Sequence, residues 1–223
     1  KSLQLNKFDH SLNSVEKSIL TYFLGIANPK IIIELGVYKG STTKIMSEFL
    51  TINQIESKII RFDLENMTNG LVSNDEIIKQ MVSEDKLELI GGLLPNTLKK
   101  YLKKTDKTID FALIDAQHDY QSVLGELSDI WPYLSEGGFI ICHDYHKVRL
   151  QYAIEYFSKK NNAIFLPVLN TNKETVFETS LAILTKPKLE YKFFTWFSLH
   201  YQIYNFRGYT LLKKILKKIN ILK

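Results

Sequence analysis

Short apolar runs of strand length alternate with amphipathic segments of helix length through most of this 223-residue sequence. The runs IIIEL at 31–35 and FALI at 111–114 are continuous and rich in β-branched or aromatic residues, as expected for strands covered on both faces. This alternation predicts an α/β domain with a mostly parallel sheet and right-handed crossovers. The predicted strands are Lys30–Leu35, Lys58–Asp63, Leu87–Ile90, Ile109–Ile114, Phe139–Cys142, Ala163–Val168 and Ser180–Leu184. The predicted helices are Val15–Ile26, Ser41–Leu50, Asp75–Val82, Asn96–Lys103, Tyr120–Leu134 and Val148–Lys160.

The turn after the first predicted strand has the spacing E-x-G-x-x-x-G, from Glu34 through Gly36 to Gly40. Gly36 lets the backbone turn tightly and leaves room for a ligand, and Gly40 opens the next helix. This spacing differs from the G-x-G-x-x-G of dinucleotide sites and from the G-x-x-x-x-G-K-[ST] of P-loops. The missing fingerprint argues against a nicotinamide oxidoreductase, although a tight turn alone would also explain these glycines.

Carboxylates follow several of the predicted strands, at the edge where open parallel sheets bind their ligands. Asp63 and Glu65 end the second strand, where a carboxylate can accept hydrogen bonds from both hydroxyls of a ribose. Asp115 and Asp144 follow the fourth and fifth strands, and neighbouring strand ends lie about 5 Å apart. We therefore expect these two acids to converge on one site, and paired carboxylates suit Mg²⁺ or another hard cation.

Three histidines lie close to these acids in the sequence: His118, His143 and His146. An imidazole is an effective general base for a hydroxyl near neutral pH. His118, one turn beyond Asp115, is the first candidate for this base, and His146 is the second. His143 directly precedes Asp144, so strand alternation predicts that it points to the opposite side. The alternative is that each histidine is a hydrogen-bonded structural residue at a strand end.

Composition places this chain among ordinary soluble domains. No run of about 18 apolar residues is long enough to cross a bilayer, and the first ten residues lack the apolar core of a signal peptide. Cys142 is the single cysteine, which excludes an intramolecular disulfide. We therefore expect a cytoplasmic location.

The positive charge is concentrated at the end of the sequence. Residues 191–223 hold seven Lys or Arg and no acid, which leaves 22 basic against 24 acidic side chains elsewhere. Nine aromatic residues at 191–209 precede LLKKILKKINIL, in which apolar residues and lysines occupy opposite faces of a helix. That apolar face packs on the domain, on a second copy of the chain or on an anionic membrane at the inner surface, and all three alternatives stay open. Nucleic-acid binding is disfavoured because no recognition motif accompanies the lysines.

Four segments together resemble one enzyme family. IIIELGVYKGSTT at 31–43 resembles the first motif of class I S-adenosylmethionine-dependent methyltransferases, and FDLE at 62–65 resembles their ribose-binding motif. IDFALIDAQHDYQSVLGELSDIWPYLSEGGFIICHDY at 109–145 is similar to the fourth-to-fifth-strand section of small-molecule and sugar O-methyltransferases, the family 24 group. GGLLPNTLKKY at 91–101 resembles the G-x-F-x-x-T-L element of macrolide-sugar methyltransferases. The resemblance covers about 29–145 and implies a Rossmann-like fold and methyl transfer.

The resemblance also implies roles for individual residues. Such enzymes bind S-adenosylmethionine, and some use Mg²⁺ to hold the substrate hydroxyl beside the methyl donor. Two positions depart from the pattern: Gln117 stands where relatives commonly have an acid, and Tyr145 stands where the macrolide-sugar group has a second one. The expected cofactor contacts are Glu34, Gly36 and Gly40 at the methionine part, Asp63 or Glu65 at the ribose, Gly92 and Leu93 near the adenine, and Asp115 beside the reacting group. The expected catalytic residues are Asp115, His118 and His146, and the expected metal ligands are Asp115 and Asp144.

We therefore expect a methyltransferase domain at 1–187 and a helical extension at 188–223. The predicted activity is O-methylation of a hydroxyl on a sugar, glycan or other small polar acceptor, with Mg²⁺ assistance left open. The rival from another class is a noncatalytic scaffold or partner domain that keeps the fold and is attached through its basic tail.

Overall fold

The computed structural model describes residues 12–64, 76–169 and 179–187. In these ranges helices and strands alternate as predicted, and a single 3₁₀ turn at Trp131–Tyr133 follows the fifth helix. The helices are α1 Ser14–Ala27, α2 Ser41–Ile52, α3 Glu76–Ser83, α4 Asn96–Leu102, α5 Tyr120–Ile130 and α6 Val148–Lys160. The strands are β1 Ile31–Leu35, β2 Lys58–Asp63, β3 Leu87–Gly91, β4 Ile109–Ile114, β5 Leu134–His143, β6 Ile164–Leu169 and β7 Ser180–Thr185.

The strands form one sheet in the order β3-β2-β1-β4-β5-β7-β6. The first five of these are parallel, and β7 is inserted antiparallel between β5 and β6. The order reverses between β1 and β4, and ligands of open parallel sheets bind at such a switch point, beyond the carboxyl ends of the strands. The predicted mostly parallel, seven-stranded Rossmann-like architecture is confirmed.

Helices cover both faces of the sheet, and each face has its own apolar core. Leu20, Phe23 and Met46, from α1 and α2, pack with Ile32 of β1 on one face. The helices α4, α5 and α6 cover the other face, where alternate residues of the same strand point. Burial on both faces explains why the central strands are apolar at nearly every position.

One predicted boundary is wrong. The sequence predicted a helix to Leu134 and a strand only from Phe139, whereas α5 ends at Ile130 and β5 already begins at Leu134. Pro132 has no backbone N–H and its ring clashes with the preceding turn, so the helix cannot continue through it.

Some predictions concern residues outside the described ranges. Glu65 and the whole extension at 188–223 are among them, so the ribose contact of Glu65 and the docking of the tail stay predictions. Among the helices that are described, none is long and apolar enough to cross a membrane.

Candidate active site

The loop after β1 packs directly against the end of β4. The N–H of Asp115 donates to the Leu35 carbonyl at 2.9 Å, and Gly36 has a φ of 82°. A Cβ on Gly36 would stand 2.3 Å from the Asp115 carbonyl oxygen. The Asp115 backbone therefore fills the position that a Cβ of Gly36 would take, and the contact of Gly36 with the methionine part of a cofactor stays a prediction. This contact brings the glycine loop next to the first predicted catalytic acid.

Asp63, at the end of β2, holds the same loop from the other side. Its Oδ2 accepts hydrogen bonds from the N–H groups of Val37 and Tyr38, both at 2.7 Å. Its Oδ1 accepts from the N–H of Leu64, also at 2.7 Å. The carboxylate thus fixes the loop that the sequence assigned to the cofactor, and its own contact with a ribose stays a prediction.

Glu34 lies beneath this loop and has no exposed surface. Its Oε2 accepts a hydrogen bond from Thr43 at 2.6 Å, and Arg61 on the neighbouring strand donates to the Thr43 hydroxyl at 3.5 Å. Burial raises the pKa of Glu34 to about 7, against the lowering effect of the Thr43 hydrogen bond and the Arg61 charge. In this position Glu34 joins β1 to α2, and a direct contact with the methionine part of a cofactor stays a prediction.

The other predicted cofactor positions lie at the same edge of the sheet. Gly40 has a φ of 75° and caps α2. Gly92 follows β3, and its N–H donates to the Asp63 carbonyl at 2.9 Å. Leu93 is 65% exposed, so its side chain is accessible at the place expected for an adenine.

Asp115, His118 and Asp144 converge, as the sequence predicted for the two acids. His118 Nε2 lies 3.0 Å from Asp144 Oδ2 and 3.6 Å from Asp115 Oδ1. One donor atom from each of the three residues lies within 4.8 Å of the other two. The register explains this convergence, because Ile114 of β4 pairs with Cys142 of β5 and both chains leave the sheet at the same level.

His143 points into this cluster, so the prediction that it faces the opposite side is wrong. Its Nδ1 lies 3.0 Å from Asp115 Oδ1. The strand ends at His143, and Asp144 has a φ of 56°, in the left-handed region, so the alternation of a strand does not extend across this pair.

Glu16, in the first turn of α1, contacts the His143 ring at Nε2, the nitrogen that does not face Asp115. Its Oε2 lies 3.5 Å from His143 Nε2, and its Oε1 accepts a hydrogen bond from the N–H of Ser180 at 2.8 Å. The same carboxylate caps α1 by accepting from the N–H of Asn13 at 3.0 Å. Sequence reasoning missed Glu16; the only local signal was the spacing N-x-x-E of a capping box, which indicates a helix start.

His146 and Lys147 complete the surroundings of Asp144. The Nδ1 of His146 lies 2.8 Å from Ser180 Oγ, and the His146 side chain is 48% exposed. Lys147 Nζ donates to Asp144 Oδ2 at 2.5 Å. The sequence did not single out Lys147 as part of the site.

These contacts set the charge of the cluster. Hydrogen bonds to Asp115 and Asp144 raise the pKa of His118 to about 9. Burial lowers the pKa of His143, but its bonds to Asp115 and Glu16 outweigh burial and raise it to about 10. Burial disfavours the ionised form of both aspartates, yet the bonds from His118, His143 and Lys147 keep the pKa of each below its usual value. Near neutral pH His118 is therefore protonated in this arrangement, which disfavours it as a base for a substrate hydroxyl.

The donor set can hold a divalent cation once His118 has lost its proton. Two carboxylates and one imidazole come from different segments and leave further coordination positions open. Neither departure from the family pattern adds a ligand: the Gln117 side-chain oxygen accepts from Ser122 at 2.7 Å, and the buried Tyr145 hydroxyl donates to Glu155 at 2.7 Å. His118 is the additional donor that the predicted pair of acids lacked.

Comparison with known sequences identifies one family. Residues 33–145, which are 113 of the 223 residues, match the family 24 model described as a methyltransferase domain. A protein of Acanthamoeba polyphaga mimivirus, the uncharacterized protein R132, is 26% identical over 156 residues. That match covers 66% of this chain and 61% of the viral protein, so it spans less than two thirds of the relative's length.

Solved structures share the fold at low sequence identity. The Bacillus cereus O-methyltransferase in complex with S-adenosylhomocysteine has a TM-score of 0.63 at 15% identity, over 80% of this chain and 84% of that one. TomG of Streptomyces achromogenes, an O-methyltransferase of tomaymycin synthesis in complex with S-adenosylmethionine, gives 0.63 at 9%, over 81% and 83%. CalS11, a TDP-rhamnose 3′-O-methyltransferase of calicheamicin biosynthesis, gives 0.57 at 18%, over 78% and 81%.

Proposed function

Since this chain belongs to the S-adenosylmethionine-dependent methyltransferase family whose domain matches residues 33–145, we propose that it methylates a hydroxyl oxygen of a small polar acceptor such as a sugar. One observation carries the proposal: Asp115, His118 and Asp144 converge at the carboxyl edge of the sheet, and the Asp115 backbone packs on the glycine loop. A methyl donor bound along that loop would have its reacting group beside the acids. The Bacillus cereus enzyme, TomG and CalS11 are O-methyltransferases, and this supports oxygen as the acceptor atom.

The proposed reaction is an in-line displacement at the methyl carbon. The acceptor oxygen forms a bond to that carbon while the bond from carbon to sulfur breaks, and the electron pair of that bond stays on sulfur. The sulfonium becomes a neutral thioether, so the products are a methyl ether and S-adenosylhomocysteine. Asp115 and Asp144 orient the acceptor hydroxyl for this attack, and fixed orientation supplies much of the rate enhancement in such transfers.

The hydroxyl proton needs a base, and we assign this role to His146. Its ring is half exposed and its Nδ1 contacts Ser180 Oγ. In the tautomer with the proton on Nδ1, the Nε2 atom is free to accept a proton from the acceptor. A divalent cation held by Asp115 and Asp144 would lower the pKa of the hydroxyl and make this transfer easier.

The first test of this proposal is calorimetric titration of the full chain with S-adenosylhomocysteine and, in parallel, with NAD. We expect micromolar binding of the first and none of the second. Binding of NAD alone would reject the proposal in favour of an oxidoreductase, and binding of neither by folded protein would favour a noncatalytic scaffold.

The second test follows methyl transfer from S-adenosylmethionine to a panel of sugars, nucleotide sugars and small phenols by mass spectrometry. The expected product carries one additional CH₂ group and appears together with S-adenosylhomocysteine. His146→Ala should lower the rate of transfer by about 10²-fold or more while cofactor affinity stays unchanged. Full activity of this variant would remove His146 as the base.

A further inference from the structure

The cluster of Asp115, His118 and Asp144 contains one nitrogen donor beside its two carboxylates, the imidazole of His118. Its Nε2 is directed at both carboxylates, 3.0 Å from Asp144 Oδ2 and 3.6 Å from Asp115 Oδ1. Ligand atoms at about 2.1 Å from one ion lie about 3.0 Å apart at a right angle and about 3.4 Å apart at the tetrahedral angle. The two distances from His118 therefore match the spacing of atoms that share one cation.

We propose that His118 is the third ligand of a cation site with Asp115 and Asp144, and that this site selects a divalent transition ion over Mg²⁺. Mg²⁺ prefers six oxygen ligands, whereas an imidazole among carboxylates suits Fe²⁺, Co²⁺, Ni²⁺ or Zn²⁺. The role of the ion in catalysis rests on the proposed methyl transfer, but its binding to these three side chains does not.

The surrounding residues are arranged as a supporting layer for such ligands. His143 contacts Asp115 Oδ1 at 3.0 Å and is itself held by Glu16, so that one oxygen of the carboxylate is fixed in direction. Groups that orient a ligating carboxylate in this way typically strengthen metal binding about 10- to 100-fold. Lys147 contacts Asp144 Oδ2, while Asp144 Oδ1 lies 3.7 Å from His143 Nδ1 and 3.8 Å from His146 Nδ1, beyond hydrogen-bond distance. Asp144 Oδ2 is thus the oxygen nearest to both His118 and Lys147, and a cation bound between His118 and Asp144 would replace the Lys147 contact on that oxygen.

Gln117 and Tyr145, the two residues that depart from the family pattern, are consistent with His118 acting as a metal ligand and not as the base. The Tyr145 side chain is buried and its hydroxyl donates to Glu155, so it cannot reach the cluster as a ligand. Gln117 is exposed and its carbonyl oxygen accepts from Ser122. His118 supplies the third donor in their place, and this leaves His146 for the acceptor proton.

The test uses the 223-residue chain, stripped of metal by a chelator and titrated separately with Co²⁺ and with Mg²⁺ by calorimetry. Visible absorption of bound Co²⁺ provides an independent readout of nitrogen and oxygen ligation that does not depend on turnover. We expect one Co²⁺ site that binds at least about tenfold more tightly than Mg²⁺. Equal affinities for the two ions would overturn the proposal.

Three variants identify the ligand. His118→Ala should weaken Co²⁺ binding by about tenfold or more, and His118→Asp should bring the Co²⁺ and Mg²⁺ affinities closer together. The matched control His146→Ala removes a neighbouring imidazole and should leave Co²⁺ affinity unchanged. Unchanged Co²⁺ binding by His118→Ala, or a loss in His146→Ala, would overturn the assignment.

Two features of the experiment keep its outcomes separable. The side chain of His118 is 38% exposed, so its variants should fold, which circular dichroism checks. Two further histidines, His10 and His200, lie outside the described residues, and the difference between the wild type and His118→Ala excludes their contribution. Failure of the proposed methyl transfer would appear as absent S-adenosylhomocysteine binding and turnover, whereas failure of the metal assignment appears in the Co²⁺ and Mg²⁺ titrations.

Discussion

Glu126 of α5 is a carboxyl group in the apolar core, and it makes the stability of the fold depend on pH. Its side chain has no exposed surface, and neither carboxyl oxygen has a hydrogen-bond partner among the described residues. Burial, helped by the nearby charges of Asp119 and Asp129, raises the pKa of Glu126 from 4.5 to about 8. The folded protein therefore keeps Glu126 protonated at neutral pH, whereas the unfolded chain releases that proton.

The size and sign of the effect follow from this difference. Below about pH 4.5 both states are protonated, and no stability is lost through this group. As the pH rises towards about 8, only the unfolded state gains by ionising Glu126, so stability falls by about 1.4 kcal/mol per pH unit. Between about pH 5 and about pH 7 the expected loss is about 2 to 3 kcal/mol.

The variant Glu126→Gln keeps the shape of the side chain and cannot ionise, so its stability should lack this component. Urea unfolding across the pH range gives the difference between variant and wild type, in which the contributions of other titrating groups cancel. We expect the variant to gain about 2 to 3 kcal/mol on the wild type between about pH 5 and about pH 7. Glu48→Gln, an exposed control on α2, should stay within about 0.5 kcal/mol at every pH. Parallel curves for Glu126→Gln and the wild type would refute the reasoning, because they would mean that Glu126 ionises in both states alike.

Three further substitutions test the architecture of the site. Asp63→Ala removes the acceptor of the Val37 and Tyr38 N–H groups. We expect at least about tenfold weaker S-adenosylhomocysteine binding by calorimetry and a loss of about 1 to 3 kcal/mol in the free energy of urea unfolding. Unchanged affinity would remove Asp63 from the cofactor site. Gly36→Ala places a Cβ 2.3 Å from the Asp115 carbonyl oxygen at a φ of 82°. We therefore expect the free energy of urea unfolding to fall by more than about 1 kcal/mol, and a smaller loss would contradict the close packing of these loops. Glu16→Gln removes a charge that holds His143 protonated, so NMR titration should show the His143 pKa falling from about 10, and no fall would mean that Asp115 alone sets it.

The parts of the site that follow from strand order could be predicted from the sequence. Asp115 and Asp144 each follow an apolar run, and the pairing of parallel strands places such ends at one edge of the sheet, independently of the conformation of the loops. His118 could be placed with them because it lies only three residues beyond Asp115. These inferences need nothing beyond the periodicity of the strands and the topology of an open sheet.

The remaining features depend on contacts between distant segments or on single backbone angles. His143 was assigned to the wrong side because the left-handed conformation of Asp144 ends the alternation of the strand at that point. The Asp115 backbone fills the position that a Cβ of Gly36 would take, and no local pattern encodes this contact between distant segments. Glu16 was missed because its partner is 127 positions away and its own spacing reads as a helix cap.

The bond between Glu16 and Ser180 also sets an order on the assembly of this protein during synthesis. The donor and acceptor are 164 residues apart, so the carboxylate that supports His143 waits for its partner until β7, the last described strand, has been made. Chains fold from the amino terminus as they emerge, and contacts of such long range form late. The Glu16 carboxylate beside His143 therefore gains its hydrogen bond from Ser180 only when β7, the last strand of the described residues, has joined the sheet.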